Sequence, residues 1–323
     1  MAVRSPLRPV PRIGWTTTRS ALLGQALFAH GDVAGSKTAL EQSLALYVPE
    51  RDAAATHKDG QNTEVHTKSL LSITQLCLGE VDAALEAGLD ALQTADALRH
   101  PHSTAIPMVY VGGWVFGLCE ATVQMMVEAR NLLTLAERHR LSGFRAHATA
   151  LVGWALCQGG HPGQGIPMIA QAIAAFDSVQ FRMSEAGYLS ILADAQRRVG
   201  RLTDAAATCE RAMQLQPEGT RWLEPEVRRV QAVIAADVAP TDREGAESLF
   251  RRAIVCAQEL RLPLFESRCL VSFEQFLEST GRRDAGVESR LCELSHVSNL
   301  GQRVANAVQA RQSRMPDDRT FPV

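Results

Sequence analysis

From Ser20 to about residue 300, apolar and small residues recur at helical spacing, interrupted by polar turns at a near-constant interval. Residues 186–217, AGYLSILADAQRRVGRLTDAAATCERAMQLQP, display the unit. Leu192 and Ala193 form a large-small pair on a first helix, Gly200 ends it, and Ala205, Cys209 and Ala212 face back from a second. Small residues at that contact let the helices approach closely, and Pro217 closes the unit because proline cannot continue a helix. With Gly200 as a ruler, the equivalent turns fall at Gly31, Gly79, Glu120, Gly160, Thr241 and Gly281, in steps of 48, 41, 40, 40, 41 and 40. Five positions beyond each turn a small residue returns: Ser36, Ala84, Gly165, Ala205, Ala246 and Gly286, with Met125 the exception.

This spacing resembles the tetratricopeptide repeat. A period near 40 exceeds the roughly 34 residues usual for that family, which predicts helices longer by about one and a half turns. HEAT and armadillo repeats share the longer period, but the small-residue spacing favours the tetratricopeptide reading. The predicted fold is all-α: a tetratricopeptide-like α-solenoid of about seven helix pairs, in the right-handed superhelix that the resemblance implies. The repeat domain spans 20–300. Residues 1–19, with four arginines, no acid and prolines at 6, 9 and 11, read as a disordered basic leader. Residues 301–323 read as a C-terminal extension whose tail is disordered. The polar stretch between Val48 and Ser69, with its Asp59-Gly60 step, is a surface loop that accounts for the long first step. Arg290 and Glu293, where other units carry apolar or small residues, mark the seventh unit as a terminal cap facing water.

Composition narrows the possibilities. A repeat array tolerates 323 residues as one unit, because each repeat packs on its neighbours. Hydrophobic residues at 46% with 5% aromatics suit an alanine- and leucine-rich helical array. The net charge of -2 is evenly spread, without the basic stripe that direct nucleic-acid binding needs. Thirty arginines against three lysines fit a GC-rich bacterial coding sequence. Seven cysteines without a C-x-x-C pair behave as small apolar residues in a reducing cytoplasm. No apolar run is long enough for a membrane span, and the start lacks a secretory core.

Several segments carry a more specific likeness: LALYVPERD and GQNTEV in the first loop, WALCQGGHPGQGIPMIAQAIAAF at 154–176, RWLEPEVRRVQAVIA at 221–235, and AESLFRRAIVCAQELRLPLFESRCLVS at 246–272. They resemble the C-terminal helical region of large bacterial signalling proteins that carry a nucleotide cyclase and a P-loop ATPase domain upstream. Repeat regions of ATPase-type transcriptional regulators are similar too. The resemblance implies a regulatory, protein-interaction segment. The cyclase and ATPase domains have no counterpart here, so no catalytic residue transfers.

The residues themselves offer little chemistry. GDVAGSKT at 31–38 places Lys37 and Thr38 as a phosphate loop would, but Ser36 replaces the second glycine and the preceding ALLGQALFAH is helical rather than a strand. None of the nine histidines has the spacing of a zinc enzyme, and linker polarity accounts for most of them. The expectation is a protein without catalytic residues, metal or cofactor. In tetratricopeptide arrays the first helices line a concave groove. Helical periodicity places Tyr110, Trp114, His147, Trp154, Asp194, Arg197, Arg228 and Gln231 there. Trp114 and Trp154 share one repeat position and should be neighbours, either as interhelical core or as an exposed aromatic shelf. Beside such a shelf, Arg197 and Arg228 would grip the carboxylate of an extended peptide with apolar anchors. Arg198 and Arg229 could be solvated partners of Glu224, Glu226 or Glu210. The expected function is a cytoplasmic, non-catalytic scaffold for a peptide or protein partner in bacterial signalling. The alternative is a metabolite-sensing module linked to a cyclase or ATPase, which a tightly closed superhelix would favour. No membrane partner is expected, and a homo-oligomer through the first or last unit is compatible with the pattern.

Overall fold

The computed structural model describes residues 14–52, 56, 60–179, 184–215 and 221–313. Within them the chain is an all-α, tetratricopeptide-like solenoid of seven helix pairs and two further helices, without a strand. The pairs are α1 (Gly14–Ala29) with α2 (Val33–Leu46), then, after the short α3 (Pro49–Asp52), α4 (Thr63–Cys77) with α5 (Val81–Leu98). In the third pair the first helix runs as α6 (Pro101–Pro107), a π-helical stretch (Met108–Val115) and α7 (Phe116–Leu118), packed on α8 (Thr122–Arg138). There follow α9 (Ser142–Gln158) with α10 (Pro162–Val179) and α11 (Glu185–Arg198) with α12 (Leu202–Gln214). The last two pairs are α13 (Glu224–Val238) with α14 (Arg243–Glu259) and α15 (Pro263–Ser279) with α16 (Ala285–Glu293). α17 (Leu300–Gln312) ends the described chain. No helix among the described residues is long and apolar enough to cross a membrane.

The ruler positions are physical turns. Gly31, Gly79, Gly160, Gly200 and Gly281 all adopt left-handed backbone, with φ between 72° and 87°, and Glu120 does so at 58°. Thr241 does not; there Asp242 caps α14 by accepting a hydrogen bond from the Gly245 N–H at 3.0 Å. The small residues five positions on sit at the helix-helix contact. A Cβ added at Gly165 would lie 2.3 Å from the Gly153 carbonyl, and Ala84 and Ala205 are wholly buried. Helix α1 begins at Gly14, six residues ahead of the boundary read at Ser20. Residues 1–13 of the basic leader, Pro217 and residues 314–323 of the tail lie outside the described residues.

The array coils tightly enough to overlap itself, the first unit meeting the sixth, and the second and third meeting the seventh. Gly31 lies against Arg221 and Leu260, Phe28 against Trp222 with ring centroids 4.7 Å apart, and Gly79 against Pro263, His296 and Val297. Arg268 on α15 donates to the Leu118 carbonyl at 3.3 Å, and Arg303 on α17 pairs with Asp82 on α5 at 2.5 Å. The seventh unit therefore does not simply face water as a terminal cap. Arg290 is ion-paired to Glu266 at 2.7 Å and to Glu293 at 2.6 Å, and α17 docks Val304 fully buried.

Candidate functional site

Because the coil is tight, the inner faces of the first helices meet one another across the superhelix axis. The sequence-predicted groove is consequently filled along its middle. Trp114 and Trp154 are indeed neighbours, with centroids 5.7 Å apart, but they are 2% and 7% exposed. Trp114 also packs on Tyr188 at 5.1 Å and on Trp222 at 5.7 Å, and Trp222 continues to Phe265. Gly187 makes room for this plug, since a Cβ there would lie 2.5 Å from the Trp114 ring. The exposed aromatic shelf does not form; the two rings are core.

The proposed carboxylate clamp is also absent. Arg197 is held by Asp194 at 3.0 Å and Asp237 at 2.8 Å, and Arg228 by Glu224 at 2.6 Å. Arg228 opens instead onto a charged outer groove with Glu247, Arg251 and Arg282. Gln231 is half-buried on α13, away from both. Of the eight predicted groove residues, Tyr110 and His147 line one cavity, and Trp154 and Asp194 line another, smaller space.

Two spaces remain at the ends of the plug. Between the C-terminal halves of α9 and α11 and the N-terminal halves of α13 and α15 lies a small space of about 60 Å³ lined by Trp154, Asp194, Glu226, Arg229 and Arg268. Glu226, 8% exposed, accepts two hydrogen bonds from Arg229 (2.8 and 3.0 Å) and two from Arg268 (3.0 and 3.1 Å). Burial alone would raise the Glu226 carboxyl, but the two guanidinium groups outweigh it and hold it far below the usual carboxylate range. Arg229 is thus a largely buried structural partner rather than a solvated one. Asp194, half-buried, is lowered by Arg229, Arg198 and Arg197 against the opposing effect of desolvation. These charges neutralise one another and tie the fifth, sixth and seventh units together.

The other end, at the N-terminal ends of the first helices, holds a cavity of about 560 Å³. His66, His102, Tyr110, Arg140, Phe144 and His147 line it, with Ile106, Val109 and Leu141 supplying apolar wall. The His102 ring meets the Phe144 ring edge-on at 4.9 Å, and the His66 ring meets Tyr110 at 6.4 Å. His147 Nδ1 hydrogen-bonds the Tyr188 hydroxyl at 2.9 Å and so fixes the cavity to the aromatic plug. Burial lowers the His147 pKa to about 3 and, aided by the nearby His102, that of His66 to about 4; both rings are neutral at pH 7. Burial pushes the Tyr110 hydroxyl up to about 12.

Two local departures from the repeat shape this end. Pro107 removes a backbone donor inside the third unit's first helix, and the following eight residues wind as π-helix. That winding carries Tyr110 and Trp114 on one stretch, with Gly112 and Gly113 allowing Glu128 and Leu151 to approach. The linker reading missed His66 and His102. A signal was present, because His66 and His147 each stand thirteen residues before their turn glycines, Gly79 and Gly160.

Elsewhere, the phosphate-loop-like stretch is the start of α2. Asp32 caps it at Gly35, helix α1 precedes it, and Lys37 is paired with Glu80 at 2.7 Å. No group of three metal-ligating side chains forms among the described residues.

The fold and its interior define the class: a helical-repeat protein of tetratricopeptide type, wound into a filled superhelix. No family model matches the sequence, and no curated protein does. Solved structures do match in fold. The apo form of RapI aligns over 91% of this chain and 99% of its own, with a TM-score of 0.54 and 8% identity. A Rap protein complexed with competence and sporulation factor aligns over 93% of this chain and 99% of its own, with a TM-score of 0.55 and 12% identity.

Proposed function

We propose that this chain is a non-catalytic scaffold that captures a short segment of a peptide or protein partner in the His66–Tyr110–His147 cavity, in bacterial cytoplasmic signalling or regulation. The observation that carries this reading is the filled axis. An extended strand cannot lie along a groove occupied by Trp114, Trp154 and Trp222. A cavity of about 560 Å³ with mixed apolar and polar walls remains, within the roughly 300–1,000 Å³ of ligand pockets. The similar fold of a Rap protein complexed with competence and sporulation factor supports a captured partner. The likeness to helical regions of cyclase- and ATPase-linked regulators supports the regulatory setting. A second reading, a metabolite sensor, is favoured by one feature: the tightly wound coil offers a recessed, aromatic-backed cavity instead of a long open groove.

The test uses Gly143, which lines the cavity mouth on α9 and has nothing within 4 Å of an added Cβ. Gly143→Phe fills the mouth without disturbing the core. A bead-bound short-peptide library should yield sequences retained by the wild type and by Arg197→Ala and Arg228→Ala, and lost by Gly143→Phe. Peptides bound equally by Gly143→Phe would remove the cavity from the mechanism.

A further inference from the structure

The cavity's charge and hydrogen-bonding inventory say what its occupant carries; this inference rests on the cavity being the binding site. Among the described residues no aspartate or glutamate lines it. Arg140 stands at its rim with φ 54° and forms no ion pair with the described residues. Helix α9, 17 residues long, opens into it without a side-chain cap, so the N–H groups at Ser142 and Gly143 present the positive end of the helix there. The carboxylate at the start of α11, Glu185, is turned to Arg211 at 2.6 Å.

Independently of that helix end, the interior wall lacks partners. His66 is 5% exposed and lines the cavity, and its ring makes no hydrogen bond among the described residues. The buried Nδ1 of His102 has no hydrogen-bond partner, and the Tyr110 hydroxyl makes no hydrogen bond among the described residues either. His102 Nδ1, buried without a partner, and the ring and hydroxyl with which His66 and Tyr110 line the cavity are groups that a bound acceptor can engage. A cation would meet Arg140 and the helix end unfavourably, and a purely apolar guest would leave the donors unmatched.

We propose that the cavity takes a carboxylate borne on an apolar or aromatic body, the carboxyl end of a peptide chain being the source the scaffold reading implies. The carboxylate sits between Arg140, the start of α9 and the ring N–H groups of His66 and His102. The body packs on Phe144, Ile106 and Val109.

Calorimetric titration with N-acetyl-glycyl-phenylalanine, its C-terminal amide, and 3-phenylpropionate tests this. The acid should bind about tenfold or more tighter than the amide. The preference should collapse in Arg140→Asn, a side chain that tolerates left-handed backbone, and in His66→Leu. If Arg140→Asn and His66→Leu both keep the wild-type preference, the assignment is overturned. Equal binding of acid and amide, both blocked by Gly143→Phe, overturns the carboxylate while leaving the cavity reading intact. No binding of any probe, or binding indifferent to Gly143→Phe, overturns both. If 3-phenylpropionate matches the peptide acid, the carboxylate chemistry stands and a free small acid displaces the chain end as its source.

Discussion

Acidifying the protein to pH 5 should weaken it through two histidines. His66 and His147 are buried, and their folded pKa values of about 4 and about 3 lie below the 6.5 of an exposed imidazole. The unfolded chain therefore takes up protons that the folded chain refuses. The stability they contribute is whole above pH 6.5 and drains as pH falls toward their folded values. Between pH 7.5 and 5, each ring spans about one and a half units below its unfolded pKa, worth about 2 kcal/mol at 1.36 kcal/mol per unit. The pair accounts for about 4 kcal/mol. The ion-paired carboxylates, including Glu226 and Asp194, are lowered and contribute their losses only in stronger acid. Urea unfolding of the wild type and of His147→Asn at both pH values isolates the effect, because any constant cost of losing the Tyr188 hydrogen bond cancels in the difference. The variant should lose about 2 kcal/mol less than the wild type across that interval. Identical losses in the two proteins would refute the claim that His147 is held neutral by burial.

Glu226→Gln should cost about 3–5 kcal/mol in urea unfolding, since it strands Arg229 and Arg268 against each other in the interior. A loss below about 1 kcal/mol would mean that the triad behaves as a solvated surface pair. Gly200→Ala should lower stability by about 1–2 kcal/mol from its left-handed backbone alone, as nothing lies within 4 Å of the added carbon. Gly31→Ala should cost more by thermal melting, because its Cβ also meets Arg221 at 3.1 Å and Leu260 at 3.2 Å across the overlap. Equal costs would argue that the first and sixth units do not bear on each other in solution.

Much of this architecture was legible from residue spacing. Gly31, Gly79, Gly160, Gly200 and Gly281 announced the turns because a left-handed backbone favours glycine, and the small residue five positions on announced the close helix pairs. Even the contact between Trp114 and Trp154 followed from their shared repeat position. What spacing could not reveal was the rotation from one unit to the next. That angle accumulates over five units and decides whether an inner face lines an open groove or meets its counterpart, and here it turned the tryptophans from surface candidates into core. For the same reason Arg197 and Arg228 could not be told from pairing partners of Asp237 and Glu224, whose approach depends on packing between helices and within them. The Glu226–Arg268 link spans 42 residues, close to one repeat period, so the pairing was there to be found by comparing adjacent units. Tyr110 reached the cavity through a π-helical stretch that only Pro107 and the Gly112-Gly113 step foreshadowed.

The overlap of units four and five places apart has a bearing on how such a chain can change its length. In an open solenoid a repeat can be duplicated or lost at modest cost, since each module is bounded by its two neighbours. Here the deletion of any middle module would slide the whole second turn out of phase. Gly31 would no longer face Arg221 and Leu260, Gly79 would lose Val297, and Arg268 would miss the Leu118 carbonyl. Module number is thereby locked by the pitch of the coil. A drift in copy number, the ordinary mode of variation in repeat proteins, is closed to this one unless the turn geometry changes with it.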